Sequence, residues 1–583
     1  MRKRIPTLVV VSLAILASGC QQALSPAPEQ PVAITSEPAR LPLAEAEQTA
    51  ARPAVPLTSM QAKAAGLHDG TYNLRSPGLV FQRHGAALHP RMPDAVDRER
   101  YGDFESHGIT TVASQPVSTF SIDVDTGSYS NVRRILQEGR LPPKDAVRVE
   151  ELVNYFRYAD PAPAEQGQPF RVHTALAPAP WNKDRLLLRI ALKAREVDVA
   201  ELPASNLVFL IDVSGSMNSA DKLPLLKRSI RMLTRQMDAD DRVTFVVYAG
   251  AAGVVLEPTA GDQQAKIEVA LEALQAGGST HGSVGIALAY AKARESFIQG
   301  GVNRVILATD GDFNVGTVDQ RALLDLIEHE RRGGIALTTL GFGRGNLNDD
   351  LMEQLANHGN GNYAYIDTLL EAQKVLVEQM GGTLLTLAKD VKIQVEFNPA
   401  RVAEYRLLGY ENRMLRREDF NNDRVDAGEI GAGHSVVALY ELTPVGSTAG
   451  LIDPLRYGTA KAPEQAPATH GDEYAFVRLR YKAPEAGNSE LLSHPVTQAT
   501  RTASLADTSD DFRFSSAVAA FAQHLRGAIH LQDFGYPDIL ALARGSRGAD
   551  DHGYRADFVR LVGLAQSLDQ RPAEVAAADD GQR

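Results

Sequence analysis

At 583 residues the chain is too long for one hydrophobic core, and its length predicts roughly three to four domains. A hydrophobic fraction of 44% and a charged fraction of 23% are ordinary for a globular protein. A formal net charge of −12 with no Lys/Arg stripe argues against a nucleic-acid surface, and one cysteine excludes internal disulfides and thiolate metal clusters.

Arg2, Lys3 and Arg4 precede the apolar run Leu8 to Leu16, and Ala17-Ser18-Gly19 supplies small residues before Cys20. Residues 1–19 therefore read as an export signal whose apolar run is too short to span a bilayer. A lone cysteine at this place resembles the lipobox of bacterial lipoproteins, although Ala17 stands where that motif usually has Leu. The resemblance implies cleavage before Cys20, acylation of Cys20 and a lipid anchor in the bacterial cell envelope. Gln21 and Gln22, with no Asp at the next position, favour the outer membrane. Residues 20–65, rich in Ala, Pro, Glu and Gln, predict a disordered tether.

Residues 66–165 predict a mixed α+β region. Val117 to Asp123 has strand character, Ser128 to Glu138 places Val132, Ile135 and Leu136 on one helix face, and a second helix carries Val147, Val149, Leu152 and Phe156. Phe120-Ser-Ile-Asp-Val-Asp125-Thr-Gly-Ser128 echoes the later Phe209-Leu-Ile-Asp-Val-Ser-Gly-Ser, and a strand followed by an Asp/Ser-capped helix accounts for it more simply than a second metal site. Alternation near period two over 168–198 predicts strands. From 204 to 378, strand patterns (207–212, 242–248, 254–256, 303–308, 336–342, 362–366) alternate with helical ones (223–237, 267–274, 284–297, 321–330, 350–357). Short joins between them argue for a mostly parallel, doubly wound sheet.

Period-two patterns return over 386–490, in Val391 to Phe397, Val436 to Leu442 and Val477 to Lys482. Strands on both sides of the α/β segment suggest that it is inserted into a β-sandwich. Residues 445–472 look like a long surface loop, Trp181 a core anchor, 505–570 a helical region built on Phe514, Phe521, Phe558 and Leu561, and 571–583 a disordered tail.

The strongest chemical signal is Asp212-Val213-Ser214-Gly215-Ser216 after the apolar run Leu207 to Ile211. A buried strand delivers one carboxylate and two hydroxyls onto a tight turn. Thr280 and Asp310 fall where the pattern predicts loops at the carboxyl end of the same sheet, where open α/β folds bind ligands. Oxygen donors of this kind suit Mg²⁺ or Mn²⁺ better than zinc, and Ca²⁺ stays open because ligand type does not define cavity size. Alone, the pentapeptide could be only a turn.

The five residues resemble the metal-ion-dependent adhesion site (MIDAS) of von Willebrand factor type A (VWA) domains: Asp212, Ser214 and Ser216 match its D-x-S-x-S element, Thr280 its threonine and Asp310 its second aspartate. The resemblance implies a VWA, Rossmann-like fold over 204–378, a divalent metal held by these side chains, and a coordination position that an acidic side chain of a protein partner completes. His281 and Asp312 are read as the rim of that surface. Ser118 to Tyr129, Leu141 to Leu152 and Glu418 to Glu429 look like the YfbK-like bacterial lipoproteins, which carry a VWA domain between characteristic flanks; that resemblance covers roughly 100–568.

Other motifs fail. Asp419, Asn421 and Asp423 have the opening spacing of a calcium loop, with Asp426 and Glu429 near, but Arg424 replaces the EF-hand Gly and Ile430 its Glu. A solvated acidic hairpin is the simpler account, and calcium binding by 419–429 is left undecided. There is no nucleophile elbow, phosphate loop or Cys/His cluster. The expectation is a non-enzymatic binding module in adhesion or assembly. The rivals are a metal-dependent hydrolase and an envelope protein whose metal stabilises its own fold.

Overall fold

The computed structural model describes residues 98–164, 168–198, 201–278, 282–311, 313, 320–453, 470–484 and 486–570. Cys20, the predicted signal and tether, and the tail 571–583 lie outside the described residues. In chain order the strands and helices begin with β1 (Thr110–Thr111), β2 (Val117–Ser121), α1 (Gly127–Gln137), α2 (Val149–Asn154), β3 (Phe170–Ala179) and β4 (Asn182–Ala194). The α/β segment follows: β5 (Ser205–Asp212), α3 (Leu223–Thr234), β6 (Arg242–Tyr248), β7 (Ala252–Ala260), α4 (Gln264–Ala273), α5 (Gly282–Glu295), β8 (Val302–Thr309), α6 (Gln320–Arg332), β9 (Ala336–Phe342), α7 (Asp349–His358), β10 (Tyr363–Ile366) and α8 (Leu369–Gln373). After a π-helical turn at Lys374–Glu378 come α9 (Met380–Leu384), β11 (Thr386–Phe397), β12 (Val402–Leu408), β13 (Gly428–Gly431), β14 (Ser435–Pro444), β15 (Glu473–Lys482), β16 (Glu490–Thr497), α10 (Asp510–Leu525), α11 (Tyr536–Arg544) and α12 (Tyr554–Asp569).

The α/β sheet has the order β10-β9-β8-β5-β6-β7, parallel throughout except for β7, which runs antiparallel to β6. All eight residues of β5 are buried. Leu207, Phe209 and Ile211 pack on one face and Val208 and Leu210 on the other, which is why this strand reads as a continuous apolar run. The chain leaves β5 to one side for β6 and later returns on its other side as β8. The β5/β8 boundary is therefore the switch point, and its carboxyl-end crevice is the expected ligand position.

Around this segment stands the sandwich: β1-β12-β14-β4-β3 faces β13-β11-β15-β16, with β2 also paired to β11. Leu186, Leu188, Ile190 and Leu192 of β4 meet Ile393, Val395, Val477 and Leu479 in the core between the sheets. The α/β segment is thus inserted between sandwich strands. The strand patterns N-terminal to 165 are not part of a separate region; β1 and β2 join the sandwich on β12 and β11.

The period-two reading of β4 was incomplete, because its second face is buried as well. Leu187 and Ala191 pack under a helical layer made by α1, α2, α10, α11 and α12, with Phe156, Phe514 and Phe558 in mutual edge contact. The helix α11 went unread, since only Tyr536, Ile539, Leu540 and Ala543 carry its buried face. Trp181 is a core residue of this layer, 4% exposed, and its indole N–H donates to Glu441 Oε1 at 2.7 Å.

Candidate metal centre

Asp212 ends β5, fully buried, and Asp310 follows β8 directly, so the switch point places the two carboxylates side by side at the carboxyl edge. Neither is bare. The Ser214 N–H donates to Asp212 Oδ1 at 2.8 Å, and Thr309 Oγ1 and Tyr248 OH donate to Oδ2 at 3.0 and 3.2 Å. Burial pushes the Asp212 carboxyl up to about 6, the neighbouring charge of Asp310 adds to this, and the Ser214 hydrogen bonds oppose it. A positive charge placed beside the pair would reverse that rise.

The Ser214 and Ser216 hydroxyls lie 3.0 Å apart, Ser214 buried and Ser216 exposed, so the turn opens from the deep aspartate toward solvent. A second loop is zipped onto it: Gly277 N–H donates to Val213 O at 2.7 Å, and Gly215 N–H to Gly278 O at 3.1 Å. The chain approaching Thr280 therefore runs along the edge of the Asp212 turn. Thr280, His281 and Asp312 themselves lie outside the described residues. Of the five predicted ligands, the structure brings together Asp212, Ser214, Ser216 and Asp310. Their donor set fits a hard divalent cation: two carboxylates and two hydroxyls.

Lys222 and Asn346 were missed. Lys222 Nζ lies 2.9 Å from Asp310 Oδ2, and Asn346 Nδ2 donates to the same oxygen at 3.0 Å. Lys222 precedes α3 and is 5% exposed. Its stem crosses Gly343, where a Cβ would stand 2.2 Å from Lys222 Cγ and φ is +67°. No spacing in the sequence points to this contact, which exists only because two loops meet over the switch point. Asp310 therefore already has a positive partner on one side.

The echo of the site in the N-terminal flank is resolved differently from expectation. Thr126 at the start of α1 makes no side-chain capping bond. Asp123 and Asp125 instead face Glu353 of α7, and Arg413 reaches all three, with a nitrogen 3.2 Å from an oxygen of each. Asp125 Oδ1 also accepts the backbone N–H of Tyr363 in β10 at 2.8 Å. This cluster is a clamp between the flank and the α/β segment. The acidic 419–429 stretch has a solvated outer side at Asn421, Asn422, Arg424 and Asp426, as expected, but its carboxylates are engaged: Asp419 is held by Arg416, Asp423 by Ser489 and Asp426 by Arg331.

Three family models match along the described chain. The family described as von Willebrand factor type A domain matches residues 206–379, that described as Uncharacterized protein YfbK, C-terminal, matches 382–568, and that described as von Willebrand factor matches 95–189. The uncharacterized protein YfbK of Escherichia coli (strain K12) is 45% identical over 501 residues, 85% of each chain. Inter-alpha-trypsin inhibitor heavy chain H3 of Homo sapiens is 28% identical over 192 residues, 31% of this chain and 21% of that one. The solved structure of a von Willebrand factor type A protein from Catenulispora acidiphila aligns at a TM-score of 0.38 and 15% identity, covering 70% of this chain and 91% of the other.

Proposed function

The chain belongs to the YfbK family of VWA-domain proteins, and from that premise we propose that it captures a protein partner at the β5/β8 edge in a divalent-cation-dependent manner. The VWA domain itself supports a protein-interaction or adhesion-type role. The observation that carries the finer reading is the convergence of Asp212, Ser214, Ser216 and Asp310 at the switch point, with Ser216 toward solvent and Ser214 and the two carboxylates deep. A bound Mg²⁺, Mn²⁺ or Ca²⁺ would supply the positive charge and the coordination position that an acidic partner side chain meets.

This chain's residues do the rest. Tyr248, Thr309 and the Ser214 N–H orient the Asp212 carboxylate, while Lys222 and Asn346 hold Asp310. A binding role is favoured over hydrolysis because both described carboxylates belong to the candidate metal set, leaving neither as a separate general base. We further propose that Cys20 is acylated and tethers the protein in the cell envelope, with the outer membrane favoured.

Calorimetric titration of the purified chain with Mn²⁺, beside Asp212→Ala, tests the metal arm. Cross-linking of the native protein and Asp212→Ala in cells, with and without chelator, tests the capture arm. Cross-linked partners that survive both chelation and the substitution would overturn the proposal. Incorporation of labelled fatty acid that persists in Cys20→Ser would overturn the anchor.

A further inference from the structure

The loop of residues 343–348, between β9 and α7, lies directly on Asp310 and Gly311. At Gly311, where φ is +98°, a Cβ would stand 2.5 Å from Asn348 N and 2.6 Å from Leu347 Cα. Asn346 Nδ2 donates to Asp310 Oδ2 at 3.0 Å, and Asn346 Oδ1 accepts from Lys222 Nζ at 3.4 Å. The loop is soft by composition, since Gly343 and Gly345 both take left-handed backbone, with φ +67° and +94°. Glycines leave a chain many alternatives, so contacts from elsewhere must select the one that aims Asn346 at Asp310.

Most of those contacts come from outside the VWA segment. Residues 98–101 run beside the loop as a short parallel strap, bridged at Arg100↔Asn348. The Arg98 N–H donates to Gly345 O and the Arg100 N–H to Leu347 O, each at 2.8 Å, and the Asp349 N–H donates back to Arg100 O at 3.0 Å. From this strap Glu99 turns inward, its side chain 5% exposed. Its Oε1 accepts the Gly345 N–H at 2.9 Å, while its Oε2 accepts from Tyr101 OH at 2.6 Å and pairs with Arg134 Nη2 at 2.7 Å. Arg134 and Asn131 both belong to α1; Asn131 Oδ1 accepts from that guanidinium, and Asn131 Nδ2 donates to Tyr101 OH. The guanidinium carbon of Arg134 also lies 5.6 Å from the centre of the Tyr365 ring, and Tyr365 OH donates to Gly343 O at 2.6 Å. Both ends of the glycine turn are thus held from one point on α1, Gly345 through Glu99 and Gly343 through Tyr365.

We propose that Glu99 is a positioning residue for the metal edge: through the Gly345 N–H it sets the loop that aims Asn346 at Asp310. The flank outside the VWA segment then governs the cation affinity of the site. This role rests on the reading of the β5/β8 edge as a metal centre and adds the device that keeps it preformed. A carboxylate held at Oδ2 keeps its orientation as a ligand. With Asn346 swung away, that oxygen is left to Lys222 and the donor set is no longer arranged before the ion arrives. Groups that orient a ligand from behind contribute about 10–100-fold to metal affinity, and Glu99, one contact further back, falls at the lower end of that range.

The test uses the full chain. In the metal-free protein, Glu99→Ala should speed amide exchange across residues 343–349, followed by mass spectrometry, and leave β5 and β8 at the parent rate. Calorimetry should show Mn²⁺ bound about tenfold more weakly than by the parent. Glu99→Gln keeps an acceptor for the Gly345 N–H and should recover most of that affinity. In an Asn346→Ala background, adding Glu99→Ala should cost little more, because the two residues act along one route. Tyr365→Phe keeps the ring but frees Gly343 O; it should loosen the same peptides and weaken Mn²⁺, and it replaces Glu99→Ala if that variant fails to fold. A parent that binds no Mn²⁺, or an Asp212→Ala variant that binds it equally well, would overturn the metal reading and the role of Glu99 with it. Mn²⁺ binding lost in Asp212→Ala but unchanged in Glu99→Ala would overturn the role of Glu99 alone. So would unaltered exchange over 343–349, a Glu99→Gln variant as weak as Glu99→Ala, or losses that add in the Asn346→Ala background.

Discussion

Arg413→Met is the sharpest probe of how the flanks hold the VWA segment. The guanidinium sits 3.2 Å from oxygens of Asp123, Asp125 and Glu353, and those four side chains are between 2% and 11% exposed. At that separation and an effective dielectric of ~20, each pair is worth about 5 kcal/mol before desolvation is subtracted. Methionine fills similar volume but leaves three buried carboxylates without their shared counter-charge, and truncating one partner of such a network costs about 3–5 kcal/mol. Burial and Asp123 hold the Asp125 carboxyl well above its usual range and burial holds Glu353 above its own, with Arg413 opposing both shifts. Removing Arg413 raises both further.

An acid raised in the fold binds protons that the unfolded chain has released, so its penalty is full at high pH and is relieved as pH falls toward the ordinary carboxylate range. The loss in Arg413→Met should therefore be largest near pH 8 and shrink toward pH 5. Chemical denaturation followed by the fluorescence of Trp181, the single tryptophan, measures it across that range. Limited proteolysis should also release the α/β segment faster, because the clamp spans the β2–α1 connection, α7 and the turn after β12. A loss below about 1 kcal/mol, the scale of a surface ion pair, or one that does not change with pH, would refute the reasoning.

Lys374 provides a pH signature of opposite sign. Its Nζ is buried 3.1 Å from the centre of the Tyr155 ring with no hydrogen-bond partner among the described residues, and burial lowers its pKa to about 7 despite Glu371. The unfolded chain then holds a proton that the fold has released, so stability from this group rises as pH climbs from about 7 toward its ordinary value. Lys374→Met should flatten that rise in melting curves, and an unchanged slope would count against a neutral buried amine. At the β5/β8 edge, Asp212 must be ionised to hold a cation. With its carboxyl pushed up to about 6, Mn²⁺ affinity should fall by up to about tenfold per pH unit below that value; titrations showing equal affinity above and below it would refute the placement of Asp212 in the site.

Much of this protein was legible along the chain because its signals are local. A strand buried on both faces must be apolar at every position, and β5 announced itself as 207–211. The alternation of β15 marked a sheet with one buried face, whereas in β11 the alternating Lys392 and Gln394 are buried too. Asp212, Ser214 and Ser216 could be paired from their spacing, since a turn after a strand places i, i+2 and i+4 together. Asp310 followed from the strand rhythm. What the chain concealed is whatever depends on contact between distant segments. Lys222 reaches Asp310 across 88 positions, and Arg413 closes on Asp125 across 288. The buried second face of β4 was hidden for the same reason: α10 and α12, which cover it, arrive more than 300 residues later. Periodicity records which side of an element is apolar, but the partner for that side, and the counter-charge for each buried carboxylate, are chosen when the layers pack.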